Sequence, residues 1–524
     1  MKHYLTFIFL FTLGAGVCSA EVRLAGVFSD GMVLQRQMPV PVWGWAEPGE
    51  KVSVSFAEQN HEGVAGEDGR WQVNLTAMEA STENRELKVG GVTIKNILVG
   101  EVWFCTGQSN MEWSLARTGD NGIKWEYPHI RIMTTPKKAS GVPVKDLDLN
   151  WASCDKAQLH FSSVGFHFGV RLQKELNVPI GLINSAWGGT RIEPWIAPEG
   201  YAMAKDSHPD MKKLAADVAQ LDPSQESYKA KVTTFLDGYE QSFETWKKEA
   251  MTALERNEYA PNFPQLPNFQ PNAHHQAPCR IYFRRVNPIV PFAMRGVIWY
   301  QGESNGSEGV TYLKKKVALI EGWRKIWKQP MSFYFVQLAD YRAVSKNPGD
   351  GSGWAKLREA QLQTLDAVED TGMAVICDIG NARDIHPKNK YDVGHRLALW
   401  ALAKNYGQKE LVHSGPLYKS HTVKEGAMLL DFNHLGGGLA IGSKEGREPT
   451  KILGEGELKG FAIAGEDKVF HLAKAVIKGA QVEVSSEKVP SPVAVRFGFC
   501  QNPRGMNLYN QEGLLASPFR TDNW

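Results

Sequence analysis

The sequence has almost no charge excess. Its 59 Lys+Arg against 57 Asp+Glu leave a formal net charge of +2 over 524 residues. Nucleic acid and anionic membrane surfaces, which demand a basic patch, are therefore excluded as main partners. It is also poor in cysteine: the six present are widely spaced, with no Cys-x-x-Cys pair. That excludes a disulfide framework and a thiolate zinc site. There is no His-Glu-x-x-His and no carboxylate cluster, so no metal or other cofactor is expected. Past the N-terminus no apolar run approaches the ~18 residues that a membrane span needs. Internal repeats and low-complexity tracts are missing too. What remains is 43% hydrophobic and 22% charged residues, an ordinary globular composition, and a length that suggests two to four domains. The 16 Trp and 50 Gly point to aromatic surfaces and many tight turns. Nothing in the sequence speaks to oligomeric state.

The first twenty residues read as a processing segment. Lys2 and His3 precede an apolar run, Tyr4 to Val17, which ends in Cys18-Ser19-Ala20. A short positive region, an apolar stretch and small residues at the end are the pattern of a secretory signal. Cleavage is expected after Ala20, and a periplasmic or secreted location follows. A lipoprotein reading through Cys18 is weaker, because Val17 is bulky where a small residue is needed. Of the mature cysteines, Cys105, Cys154, Cys279, Cys377 and Cys500, most are expected to be buried small hydrophobes.

Residues 21–95 alternate short apolar runs with turn signals such as Asp30-Gly31, Pro48-Gly49 and Asp68-Gly69, which predicts a β-sandwich-like domain. From about Asn96 the pattern changes. Apolar runs at 102–105, 180–184, 296–300, 333–337 and 373–377 alternate with helical stripes. These stripes are Val164, Phe168, Leu172 and Leu176, then Leu313, Val317, Ile320, Trp323 and Trp327, then Val393, Leu397, Trp400 and Ala401. Strand–helix alternation predicts an α/β domain over 96–411, with five parallel strands doubly wound by helices. An excursion at about 203–278 interrupts it, first helical and charged, then carrying Pro261, Pro264, Pro267, Pro271 and Pro278. From 412 to 524 β character returns as a C-terminal β-domain.

In a doubly wound sheet, ligands bind beyond the carboxyl ends of the strands. The loops there read Thr106-Gly-Gln-Ser-Asn-Met111, Ser185-Ala-Trp-Gly-Gly-Thr-Arg191, Gln301-Gly-Glu-Ser-Asn305 and Asp378-Ile-Gly-Asn-Ala-Arg-Asp-Ile-His-Pro387. A serine, glycine amides, amide side chains and an Asp-x-His are the parts of an acyl-transfer site: nucleophile, oxyanion donors, orienter and base. An α/β-hydrolase elbow is excluded, because Met111 stands where Gly-x-Ser-x-Gly needs its last glycine.

Gly107-Gln-Ser-Asn-Met111, Trp187-Gly-Gly-Thr190, Trp299-Tyr-Gln-Gly-Glu-Ser-Asn305, Leu357-Arg-Glu-Ala-Gln361, and Asp384-Ile-His-Pro387 followed by Val393-Gly-His-Arg-Leu397 resemble the bacterial sialate O-acetylesterases. These are members of the GDSL-like, or SGNH, hydrolases, whose fold is flavodoxin-like. The resemblance covers roughly residues 21 to 410. It implies a carbohydrate esterase that removes O-acetyl groups from a sugar, sialic acid first, without a cofactor. It also implies Ser109 as nucleophile, His386 as base, and the Ser109 and Gly189 amides as oxyanion donors, completed by the side chain of Gln301 or Asn305. The superfamily spacing is Asp-x-x-His. Here Arg383 stands three before the histidine and Asp384 two before, so Asp384 is the orienter, with Asp378 and Glu303 in reserve.

Other readings stay open. The substrate is alternatively an acetylated plant polysaccharide of the acetyl-xylan type. The rival from another class is a non-catalytic carbohydrate-binding protein; an intact Ser109 and His386 favour the enzyme. Arg191 is either a cation for a substrate carboxylate or an ion pair with Glu193. Trp195 is either a sugar-stacking platform or core. Glu359 is an ion pair or a substrate contact, His274-His275 are exposed loop residues ahead of a metal site, and Lys314-Lys-Lys316 is a solvated helix face.

Overall fold

Residues 92–107 hold the molecule together. Their side chains alternate between outside and inside as far as Asn96, then stay buried from Ile97 to Gly107. Alternation marks a strand with one wet face, and continuous burial marks one covered on both. The two regimes belong to one 16-residue strand, β1 (Val92–Gly107). Its first half pairs with Ser81–Val89 in the N-terminal β-region, and its second half is a central strand of the α/β sheet. Asn96, where the sequence pattern changes, lies within this strand at φ 58°. The computed structural model describes residues 22–524 apart from 121–122, 124–126, 156–158 and 265–272. The expected signal segment, and Pro267 and Pro271 of the proline-rich stretch, lie outside the described residues.

The other parallel strands are β2 (Ile130–Thr134), β3 (Ile180–Ala186), β4 (Gly296–Tyr300), β5 (Ser332–Gln337) and β6 (Thr371–Val375). They lie in the order β2-β3-β1-β4-β5-β6, all parallel. The sequence predicts five of them; β2 is the addition. Arg131 breaks its apolar run, and its guanidinium turns back to the Pro128 carbonyl, so the strand reads as loop. A two-residue strand, Ala152–Ser153, runs antiparallel at its edge. Without β2, the five expected strands fall in the order 2-1-3-4-5, the flavodoxin-like winding.

Successive side chains of a strand face opposite ways, so β1 sorts the helices into layers. Trp103 meets Phe168 of α1 (Ser163–Leu176) edge-on, at 5.0 Å between ring centres. On the other face Phe104 meets Trp323 and Trp327 of α2 (Val310–Trp327). Helix α4 (Lys390–Asn405) joins α1, and α3 (Ala355–Ala367) joins α2. The helix start at α1 is capped by Ser162, whose Oγ accepts from Gly165 N at 3.1 Å, and Asn177 ends it at φ 53°.

Two lysines of the run on α2, Lys315 and Lys316, are buried and not solvated, while Lys314 is half-buried. Lys315 pairs with Glu193 and Glu308 at 2.7 Å each. Lys316 is fully buried with its Nζ over the Phe335 ring, and burial pushes its pKa well down. The excursion is helical as expected, through Pro209–Ala219 and Glu226–Glu255, and a further helix, Pro198–Ala204, leads into it. Beyond residue 412 three small antiparallel sheets form the C-terminal region. The Leu357–Gln361 segment of α3 fastens it: Arg358 donates to the carbonyls of Cys500 and Gln501, and Glu359 pairs with Arg520. Among the described residues all five cysteines are buried and unpaired.

Candidate active site

The winding reverses at β1, and three strand ends are level there. Gly107 is in register with Ala186 and with Tyr300, so the loops after β1, β3 and β4 emerge side by side. Gly107 has φ 135°, and a Cβ there would lie 2.2 Å from the Tyr300 carbonyl oxygen. Only glycine fits such an approach. The chain then enters the one-turn helix Ser109–Glu112.

Ser109 Oγ lies 2.8 Å from His386 Nε2. The imidazole comes from the loop after β6, two strands away from β4, and is held in three ways. Trp113 stacks on it at 4.7 Å and 15°. Asn110 Nδ2 donates to the Ile385 carbonyl at 3.0 Å. Asp384 Oδ1 accepts the His386 backbone N–H at 2.9 Å and lies 3.3 Å from Nδ1. Of the reserve acids, Asp378 is a partner of Arg396 at 2.7 Å, and Glu303 accepts from Asn110; neither reaches the imidazole. Burial lowers the His386 pKa, the Lys390 and Arg117 cations add to this, and Asp384 opposes it. An imidazole held neutral beside a hydroxyl can take its proton.

Behind this pair lies a buried polar chain that the sequence reading missed. Lys390 Nζ donates to Asn110 Oδ1, and Asn110 Nδ2 in turn donates to Glu303. Burial pushes Lys390 down to about 7 and Glu303 up. One signal was available: Lys390 falls on the same helical stripe as Val393 and Leu397, an apolar face where a lysine is out of place.

The Trp187–Thr190 loop faces Ser109. A Cβ on Gly188 would come within 3.1 Å of Ser109 Cβ and 2.9 Å of Glu112 Oε2, so the loop approaches the serine only because the residue is glycine. The Gly188 amide donates to Glu112, which also takes Lys137. Gly189 has φ 77° with open space where a Cβ would stand. Among the described residues neither its amide nor that of Ser109 has a protein acceptor. Two free N–H groups beside a hydroxyl–imidazole pair can stabilise an oxyanion. Gln276 pins the loop from outside, donating to the Gly189 carbonyl at 2.8 Å, while His275 stacks on Trp187 at 4.9 Å.

Four expected site residues turn out to be scaffold. Gln301 spends both amide hydrogens, on the Thr190 carbonyl (3.2 Å) and Asn305 Oδ1 (2.8 Å). Asn305 spends its own on Glu193 and Glu308, at 3.1 Å each. With both fully buried, neither has a hydrogen left for an oxyanion. Arg191 pairs with Glu193 and Glu308 and donates to the Ser304 carbonyl. Lys315 completes a compact square of two cations and two carboxylates. Trp195 is fully buried, its Nε1 donating to Thr190 Oγ1 at 3.0 Å, so it is core and not a sugar platform. Among the described residues no group of three or more His, Cys, Asp or Glu could hold a metal ion, and no helix is long and apolar enough to cross a membrane.

Comparisons with known proteins fit this geometry. A carbohydrate acetylesterase from Xanthomonas citri, solved by crystallography, is 34% identical, with a TM-score of 0.74 over 96% of this chain and 100% of its own. The sialate O-acetylesterase of Rattus norvegicus is 26% identical over 453 residues, 78% of this chain and 77% of that protein. Its Homo sapiens counterpart is 26% identical over 441 residues, 75% and 73%. No family model matches the chain.

Proposed function

The chain belongs to the sialate O-acetylesterase family of carbohydrate acetylesterases and is an esterase; from that premise we propose that it removes O-acetyl groups from sialic acid through a Ser109–His386–Asp384 acyl-enzyme mechanism. The observation that carries the mechanism is the 2.8 Å contact of Ser109 Oγ with His386 Nε2. Ser109 Oγ attacks the acetyl carbonyl while Nε2 takes its proton. The oxyanion is received by the Ser109 and Gly189 amides. As the tetrahedral adduct collapses, the imidazolium returns the proton to the departing sugar oxygen, leaving acetyl on Ser109. Water then attacks the acetyl group with His386 again as base, and acetate leaves. Asp384 holds the imidazole by its Nδ1 side. The 2-1-3-4-5 order of the five expected strands supports an SGNH-type core, and a mechanism of this kind draws on no cofactor. The N-terminal segment would deliver the enzyme to the periplasm or outside the cell; cell fractionation for the processed chain tests this.

The test of substrate is acetate release from O-acetylated sialic acid against acetyl-xylan. Faster turnover of the sialic acid derivative is expected. Turnover of acetyl-xylan alone would make the enzyme a plant-polysaccharide esterase with the same triad. Loss of all release in Ser109→Ala would carry the nucleophile assignment in either case.

A further inference from the structure

Next to Ser109 lies a pocket of about 460 Å³. One wall is Glu112, Trp113 and Arg117, the residues that follow the serine in the chain. The opposite wall is Asn184 and Ala186 at the end of β3, and Lys137 and the buried Arg285 close it. Its formal charge is lopsided: Arg117, Lys137 and Arg285 against the single carboxylate of Glu112. That carboxylate is already engaged by Lys137 and the Gly188 amide.

Arg285 is the telling residue. It is 1% exposed, and its hydrogen bonds go to neutral oxygens, Thr135 Oγ1 and the carbonyls of Thr135 and Ala186. No carboxylate hydrogen-bonds to it among the described residues; burial brings its pKa down to about 10, against the opposing charge of Glu112. A buried cation whose nearby carboxylate is already shared with a lysine and a backbone amide is under-compensated, which leaves room for a further anion. Arg117, an exposed residue, has no carboxylate partner among the described residues; its guanidinium rests on the Trp113 ring at 4.2 Å. Two more groups lining the pocket, one on each wall, are unfinished. Trp113 Nε1 and Asn184 Oδ1 are buried with no hydrogen-bond partner, in residues only 7% and 6% exposed. The first asks for an acceptor and the second for a donor. A simple anion offers acceptors only, whereas a polyol carrying a carboxylate offers both.

We propose that this pocket is the subsite for a sugar acid, its carboxylate received by Arg117, Lys137 and Arg285 and its hydroxyls by Asn184 and Trp113. The proposal deepens the esterase reading and rests on it for the identity of the reacting group. It replaces Arg191 as the source of acid recognition, since that arginine is held by two glutamates, whereas the pocket has three cations against one carboxylate.

The experiment compares O-acetylated sialic acid with its methyl ester, which masks the carboxylate but keeps every hydroxyl, and reads acetate release alone. The free acid should have a kcat/KM about tenfold higher or more, the scale of a charge-assisted contact. In Arg117→Leu and Lys137→Met that ratio should collapse towards one. Reading a ratio cancels any general loss of folded enzyme. A wild-type ratio within about twofold of one, or variants that keep the wild-type ratio, would overturn the subsite. A second measurement does not depend on turnover: calorimetric binding of deacetylated sialic acid and its methyl ester to the whole protein. Preference for the free acid supports the pocket, and equal or absent binding overturns it. Preferential binding without acetate release would sink the esterase reading while leaving the subsite standing.

Discussion

The two sides of the Trp187–Thr190 loop differ in one respect. On the side away from Ser109, Arg191, Glu193, Glu308, Lys315, Gln301 and Asn305 satisfy one another: cations meet carboxylates, and both amide groups give up all their hydrogens. On the side facing Ser109, the Gly189 amide, Trp113 Nε1, Asn184 Oδ1 and the Arg285 charge are left over. Burying unmet polar groups costs free energy, so a fold that tolerates several in one place keeps them for a ligand, while the saturated side holds the loop still. Residue type does not separate the two sides, since arginine and amide side chains occur on both.

The comparison is broken most severely at the nucleophile. Ser109→Ala should fold normally and lose about 10⁴-fold or more in kcat; a folded variant retaining a tenth of the activity would sink the triad. Next comes the saturated side. Glu193→Ala leaves Lys315 and Arg191 with Glu308 as their one carboxylate and should cost about 3 kcal/mol of stability, seen as a drop in Tm. An unchanged Tm would mean that the square is not what fixes the loop. Asp384→Asn sits between the two sides. Its carboxyl is 42% exposed and 3.3 Å from Nδ1, so the variant should lose about 10²-fold in kcat, short of the ~10⁴ seen where the orienter is buried. Near-wild-type activity would leave the Ser–His pair without this partner. The smallest effect concerns pH. The base must be neutral, and burial aided by the Lys390 and Arg117 charges holds the His386 pKa below its ordinary value. Activity should therefore persist to lower pH than an unperturbed histidine allows, then fall through a single ionisation. Lys390, pushed to about 7, is charged in that acid range. Lys390→Met removes a positive neighbour, so the His386 pKa should rise and the acid limb of kcat/KM should move to higher pH. A limb that stays in place would show that the lysine acts only through Asn110.

Much of this was legible before any coordinates. The five predicted strands are apolar runs because both faces of a parallel sheet are covered, and that burial is written residue by residue. β2 escaped because Arg131 stands in it, buried with its guanidinium turned onto the Pro128 carbonyl. Ser109 and His386 were legible because acyl transfer needs those side chains, and the winding of the sheet restricts them to loops after strands. Gln301 and Asn305 were misread, and Arg191 and Trp195 were left between two readings, for the opposite reason. They lie in the right loops with the right chemistry, but whether such a side chain faces substrate or scaffold depends on which neighbour reaches it first. Glu308 and Lys315, from the start of α2, reach Arg191 and Asn305, and no local pattern announces this.

By itself, the sequence determined the alternation of elements, the chemical identity of the proposed nucleophile and base, and the glycines that let loops approach. Those properties depend on residue type and near neighbours along the chain. Tertiary structure alone decided which polar groups were left unsatisfied. Arg285 comes from the helical turn Tyr282–Val286, about a hundred residues beyond Asn184 at the end of β3. It meets Lys137, Arg117 and Asn184 only when the excursion closes back over the sheet. Whether a donor or a charge is spent is a sum over everything packed around it, and that sum exists only once the chain has folded.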